Sequence, residues 1–306
     1  MAHRIIAVTP AGRRLYMECL KHYVLADDSI AEWHLWDNCR KESDRLYIRD
    51  LAARHDKIRL VEVDGCNGQV GSINRFYSHA READAFYIKM DDDIVYLPPN
   101  LGHDLYARAS AERERFAWWS PLVVNNAICS WLLKYHSKLR IDAPLTANAA
   151  CETGWRNAAF AHCLHDRFLQ AAAADALDTF RVRDFEIALS RFSINCIGYF
   201  GADAAASGGE FCPLGVDDEE WISAVWPSRI GRPGRILGDV LVSHFSFYTQ
   251  DKELRRSDLI VRYYRLAGLE PPELPEAKRA SDWSMKALFG AKPSATPSPV
   301  HLPEGV

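Results

Sequence analysis

Strand-like and helix-like runs alternate through the first hundred residues of this 306-residue chain, and that order restricts the fold more than any other feature of the sequence. RIIAV (4 to 8) reads as a buried strand, 13 to 26 as a helix, EWHLWDN (32 to 38) as a strand, 43 to 55 as a helix and KIRLVEV (57 to 63) as a strand. A Gly-punctuated loop (64 to 72) and a helix from Ile73 to about Ala83 then lead into the apolar run AFYIKMDDDIVYL, 85 to 97. The βαβαβαβ order predicts an α/β fold: a doubly wound, mainly parallel sheet with flanking helices, in which ligands bind beyond the carboxyl ends of the strands. Thr9, Asp37, Asp64 and Asp91 to Asp93 all fall at such ends, where they can line one crevice.

Asp91, Asp92 and Asp93 need something to hold their charges together. Adjacent anions repel unless solvent screens them or a hard divalent cation sits among them, and carboxylate oxygens suit Mg²⁺ or Mn²⁺. In an extended strand residues i and i+2 point the same way, so Asp91 and Asp93 are expected to share one ligand while Asp92 points elsewhere. A solvated acidic turn is the plainer alternative, and the apolar flanks argue against it.

The rest of the chain is less regular. Residues 97 to 115 read as a helix opened by a Pro pair, 116 to 125 as a strand, 155 to 177 as a long helix, 191 to 201 as strand-like, and 251 to 268 as a closing helix. These give an expected catalytic domain over 1–268, with a nucleotide-binding half (1–97) and an acceptor-binding and catalytic half (98–268). A Pro- and Ala-rich tail follows over 269–306, in which ASDWSMKALFG (280 to 290) is a candidate short amphipathic helix for peripheral contact with a membrane face. A formal net charge of -4 argues against sequence-independent binding to nucleic acid. Eight cysteines stand singly without a Cys-x-x-Cys pair, so reduced, mostly buried thiols are expected. The start, MAHRIIAVTP, is too short in apolar residues for a signal peptide, and a cytoplasmic location is expected, with a peripheral site at the inner membrane face as the variant. His162, Cys163, His165 and Asp166 look like metal ligands, but on a helix Cys163 points away from the two histidines and no second pair has zinc-site spacing.

RIIAVTP (4 to 10), WDN (36 to 38), GSINRFY (71 to 77), KMDDDIVYL (89 to 97), VDDEEW (216 to 221) and VSHFSFYTQ (242 to 250) occur in the order used by nucleotide-sugar glycosyltransferases of the A-type fold, and over roughly residues 4 to 250 the chain resembles that family. The resemblance implies a metal-dependent transfer of a sugar from a UDP- or GDP-sugar to a hydroxyl of a glycan or lipid-linked acceptor, with inversion, in a setting such as bacterial surface glycan synthesis. It implies a Mn²⁺ or Mg²⁺ site at Asp93 and Asp91, completed by His244, with Asp91 acting through water or on the ribose. Thr9 and Pro10 would shape the base pocket and Asp37 would accept from a base N–H. Arg13 and Arg75 are candidates for phosphate, and Asp92 belongs to the same donor-binding set. Aligning Asp217, Asp218, Glu220 and Trp221 with the family's Glu-Asp-x-Glu-Trp pattern selects Asp218 as general base, with Asp217 and Glu219 as the neighbours a shifted frame would select. Acidic residues in a first helical turn are also favoured by the macrodipole, and both readings can hold together.

Two other readings stay open. DDDIV fits the Asp-x-Asp-x-Thr/Val pattern of haloacid-dehalogenase-type phosphohydrolases, although that motif follows the first strand of its fold and three strand-helix units precede it here. A non-catalytic nucleotide-sugar-binding relative would bind donor without turnover.

Overall fold

The computed structural model describes residues 4–139, 143–207 and 211–273. The candidate helix 280 to 290 and nearly all of the tail lie outside the described residues.

Among the described residues nine strands form one sheet: β1 (Arg4–Ala11), β2 (Glu32–Asp37), β3 (Ile58–Val61), β4 (Ala85–Met90), β5 (Ile94–Tyr96), β6 (Trp118–Val124), β7 (Phe185–Ile187), β8 (Cys196–Phe200) and β9 (Gly234–His244). Their order is β3-β2-β1-β4-β8-β6-β9-β5, and β7 also pairs with β9. Pairs β1/β2, β2/β3, β1/β4 and β6/β9 are parallel, whereas β8 runs against β4 and β6, and β5 and β7 run against β9. Six strands therefore share one direction, as the alternation predicts, and three oppose it. Helices Arg14–Ala26 and Glu42–Arg54 connect the first three strands. Their apolar stripes bury Tyr16, Met17, Leu20 and Val24 on one and Tyr47, Ile48 and Leu51 on the other.

Direction decides where chemistry can gather. The carboxyl ends of β1, β4, β6 and β9 lie along one edge of the sheet, and the amino ends of the opposing β5 and β8 meet them there. The chain after β1 and after β4 departs from adjacent strands, and the order reverses between them, which is the switch point where doubly wound sheets bind ligands. The core contains five fully buried tryptophans, Trp33, Trp36, Trp118, Trp119 and Trp226. None of the described cysteines forms a disulfide, and six of the eight are buried.

Several elements differ from their sequence reading. The run 85 to 97 is not one strand: Asp91 to Asp93 form a turn, closed by Ile94 N–H donating to the Asp91 carbonyl (3.3 Å), and β5 then reverses against β9. The expected helix 73 to 83 is a 3₁₀ helix over Val70–His79, in which residues three apart eclipse, so Asn74 and Tyr77 fall on one face. The expected long helix is divided into Glu152–Arg156 and Ala158–Ala173, and the closing helix into Tyr248–Leu254 and Leu259–Leu266. Helix Ala127–Tyr135 was not anticipated from the sequence.

Candidate active site

A cleft of about 550 Å³ opens on the carboxyl edge between the ends of β1, β4 and β9, a size that suits a small-molecule ligand. The triple Asp forms its floor. The Asp91 N–H donates to the Asn195 carbonyl (2.8 Å) and the Phe245 N–H to the Asp93 carbonyl (2.9 Å), so the turn is tied to both β8 and the end of β9. The three carboxylates part company there. Asp91 receives Lys89 Nζ and Asn195 Nδ2 (3.0 Å), one on each oxygen. Asp92 receives Nε of Arg13 (2.8 Å) and a second guanidinium N–H. Asp93 is completely buried, and neither of its oxygens has a hydrogen-bond partner. Arg13 Nη2 at 3.0 Å and His244 Nε2 at 3.4 Å stand close to Oδ1, but neither contact has the alignment of a hydrogen bond.

Such an orphaned carboxylate is costly unless something else meets it. Ligand atoms of Asp91, Asp93 and His244 lie within 4.8 Å of one another, the one such His/Cys/Asp/Glu grouping among the described residues. The His244 tautomer suits ligation: Nδ1 lies 3.3 Å from the Asn125 carbonyl, which can only accept, so Nδ1 carries the proton and Nε2 faces Asp93. Asn125 presents that carbonyl from a left-handed backbone (φ 64°) just past β6. Asparagine tolerates this conformation, and Asn125 Nδ2 fixes it by donating to the Phe245 carbonyl and to Gln250 Oε1, both at 3.0 Å. Two oxygen donors and one imidazole fit Mn²⁺ or Mg²⁺. Burial opposes the charge of Asp93, yet Arg13 and His244 hold its carboxyl well below the usual range. Burial pushes His244 down, and Asp93 more than restores it, so its pKa is raised.

The second acidic cluster reaches the same cleft from the helix that begins at Asp218. Asn74 Nδ2 donates to the carbonyls of Pro213 (2.6 Å) and Val216 (3.0 Å), and Tyr77, on the same face of the 3₁₀ helix, donates its hydroxyl to Asp218 Oδ2 (3.1 Å). That helix contains a π turn, Trp221–Val225, before Trp226–Ile230. Pro227 explains it: proline has no N–H for the Ser223 carbonyl, which accepts from Trp118 Nε1 instead (3.3 Å). Asp218 is buried and lines the cleft, and burial raises its pKa against the pull of Lys89 and Tyr77. Glu219 also lines it, held by Arg191 Nε (2.8 Å), with its pKa raised by burial against that arginine. Asp217 is exposed; it caps the helix through Glu220 N–H (2.9 Å) and pairs with Arg191 (3.0 Å).

The donor-side residues separate in space. Pro10, Arg13, Asp91 and Asp92 line the cleft. Thr9 is buried behind it, its hydroxyl accepting from Trp33 Nε1 (3.0 Å). Asp37 lines a separate polar depression with Asp64, its carboxylate bonded to Arg45 (2.9 Å) and the Cys39 N–H (3.2 Å). Arg75 is exposed and lies over Gly65, beside that depression. The cleft instead receives Asn38, Arg40, Lys89, Asn195, Tyr248 and Arg255, none of which was singled out from the sequence. Lys89 is the most consequential: a buried ammonium between the acidic groups, donating to the Ile194 carbonyl (2.9 Å) as well as to Asp91. Its position inside an apolar strand is itself a signal, since a lone lysine there needs a buried partner. His165 holds no metal: Nε2 donates to the Phe245 carbonyl (2.8 Å) and Nδ1 accepts from the Tyr263 hydroxyl (2.7 Å).

No protein-family model matches the sequence, and no curated protein matches it. Among solved structures the chain is similar to the mannosyltransferase PcManGT from Pyrobaculum calidifontis in complex with GDP-Man and Mn²⁺, at 14% identity and TM-score 0.47 over 90% of this chain and 66% of that one. It is also similar to S. aureus TarS 1-349 in complex with UDP, at 13% identity and TM-score 0.48 over 88% of this chain and 67% of that one. A third is 4-diphosphocytidyl-2C-methyl-D-erythritolsynthase from Anaerococcus prevotii, at 12% identity and TM-score 0.42 over 87% of this chain and 96% of that one. The chain thus spans about two thirds of the length of the first two. All three TM-scores fall below 0.5, and nothing about activity follows from likeness at that level.

Proposed function

We propose that this chain is a metal-dependent glycosyltransferase that moves a sugar from a UDP- or GDP-sugar to an acceptor hydroxyl with inversion. The observation that carries the reading is the meeting, in one cleft, of a buried oxygen-and-imidazole cation site with a second buried carboxylate, Asp218, from another element. Bound at Asp91, Asp93 and His244, Mn²⁺ or Mg²⁺ would supply positive charge to the departing diphosphate. The chain's own groups do the rest. Asp93 and His244 are set side by side by the pairing of β5 with β9, which places the two ligands before the cation arrives. Lys89 and Asn195 occupy one oxygen each of Asp91, which leaves its outer lone pairs for a water or a ribose hydroxyl. Asp218 takes the acceptor proton; a carboxylate whose pKa is raised by burial is a stronger base than an exposed one. Tyr248, 78% exposed at the rim with Trp155 edge-on at 5.4 Å, offers an aromatic face to the acceptor, which we take to be a glycan or lipid-linked sugar of a bacterial surface polysaccharide handled on the cytoplasmic side.

Thermal stabilisation by nucleotide sugars, with Mn²⁺ and with EDTA, tests the reading, because a ligand of the native state raises its apparent stability by mass action. A UDP- or GDP-sugar should raise the melting temperature only with metal. Equal shifts in EDTA, or none with any nucleotide sugar, would contradict it.

A further inference from the structure

We propose that Arg13 is a two-position counter-ion, compensating Asp93 in the metal-free protein and, on entry of a divalent cation, releasing Asp93, staying anchored on Asp92 and turning its freed N–H groups to the donor's diphosphate. The inference rests on the metal-dependent transfer proposed above and adds an order to it: cation first, nucleotide second.

The asymmetry of the guanidinium is the evidence. Nε donates to Asp92 Oδ1 at 2.8 Å, and Nη2 donates to the same oxygen. Toward Asp93 the same Nη2 makes an unaligned approach at 3.0 Å, while both Asp93 oxygens keep their hydrogen-bonding capacity. A permanent arginine–carboxylate pair settles into aligned, charge-assisted bonds, so Asp92 is the anchor and Asp93 the temporary partner. The side chain has room to change: it is 34% exposed, against 0% for Asp93, and it lines the cleft. It also has a fixed surface to turn on. The Tyr16 ring lies 5.4 Å beneath the Arg13 guanidinium, and its hydroxyl is tied to Asp251 (2.9 Å).

Charge gives the direction. At the triplet three carboxylates, Asp91 to Asp93, face two cations, Lys89 and Arg13, and Asp218, Glu219 and Asp251 share the cleft with Arg40 and Arg255, so acidic side chains outnumber basic ones there. A divalent cation held by Asp91, Asp93 and His244 would offset that excess, weaken the hold of Asp93 on the Arg13 head and favour an anionic diphosphate. Arg13 and the cation therefore compete, whereas Arg13 and the nucleotide cooperate.

Full-length wild type and Arg13→Gln should be compared in two titrations: Mn²⁺ alone, followed by electron paramagnetic resonance of the free ion, and then UDP and GDP at saturating Mn²⁺ by calorimetry. Arg13→Gln should bind Mn²⁺ tighter and both nucleotides weaker, each by about tenfold, within the range of coupled sites. Arg13→Lys keeps the charge but not the fork, and should lose nucleotide affinity without gaining Mn²⁺ affinity. If Arg13→Gln is unfolded without metal, Mn²⁺ should restore a cooperative melt, and failure to do so overturns the proposal. Unchanged or weaker Mn²⁺ binding by folded Arg13→Gln overturns it too while leaving the metal site standing. Absence of Mn²⁺ binding by either protein overturns the metal-dependent reading itself, and this inference with it.

Discussion

Asp218 and Glu219 are adjacent in sequence yet differently engaged: Asp218 accepts from Tyr77 in a buried pocket, whereas Glu219 is taken by Arg191. A general base needs a free lone pair toward the acceptor, so Asp218 is the better candidate. Asp218→Asn preserves the shape and removes the proton acceptor; turnover should fall by about 10²-fold or more with donor affinity retained. Near-normal turnover by Asp218→Asn, or a product of retained anomeric configuration, would remove it from that role. At this scale the sequence was legible where a residue's neighbours in the chain decide its surroundings. The acidic run after an apolar strand and the late histidine could be picked out in that way. It was illegible where direction is set by loop geometry: Arg75 lands on the exposed face of a 3₁₀ turn, and Arg255 reaches the cleft from a helix far along the chain.

The elements that position the site are the ends of β6 and β9 and the turn between β4 and β5. Asn125 joins them, paying for a left-handed backbone with two side-chain hydrogen bonds. Asn125→Ala loses both bonds and keeps the unfavourable φ, so stability should drop by about 2–3 kcal/mol, whereas Asn125→Gly, without the steric cost, should lose about 1 kcal/mol less. Chemical denaturation measures both; equal losses would show that the backbone conformation is not strained. Strands β1 and β2 were readable because each buried run is followed by a periodic helix. The run 191 to 201 carried the strand character of β8, whereas the short β5 and β7 meet β9 through long-range pairing that no local pattern encodes. The turn at Asp91 to Asp93 was hidden by apolar residues on both sides, so two strands with different partners read as one.

Across the whole molecule, stability should depend on His165, which is fully buried and neutral between the Phe245 carbonyl and Tyr263. Burial lowers its pKa to about 3 from an ordinary 6.5, despite the opposing pull of its bond to Phe245. Below about pH 6.5 the unfolded chain takes up a proton that the native state refuses, so this contribution is complete above that pH and is lost as pH falls toward 3, with a slope of up to about 1.4 kcal/mol per pH unit. His165→Gln should therefore show a shallower acid dependence of unfolding free energy than wild type, and parallel profiles would refute the assignment. Among the described residues no helix is long and apolar enough to cross a membrane. The most direct test is release of nucleoside diphosphate from UDP- and GDP-sugars in the presence of an acceptor glycan. Wild type should release it with Mn²⁺ and not with EDTA, and Asp93→Ala should release none while melting cooperatively. EDTA-resistant release, or undiminished release by Asp93→Ala, would contradict the account.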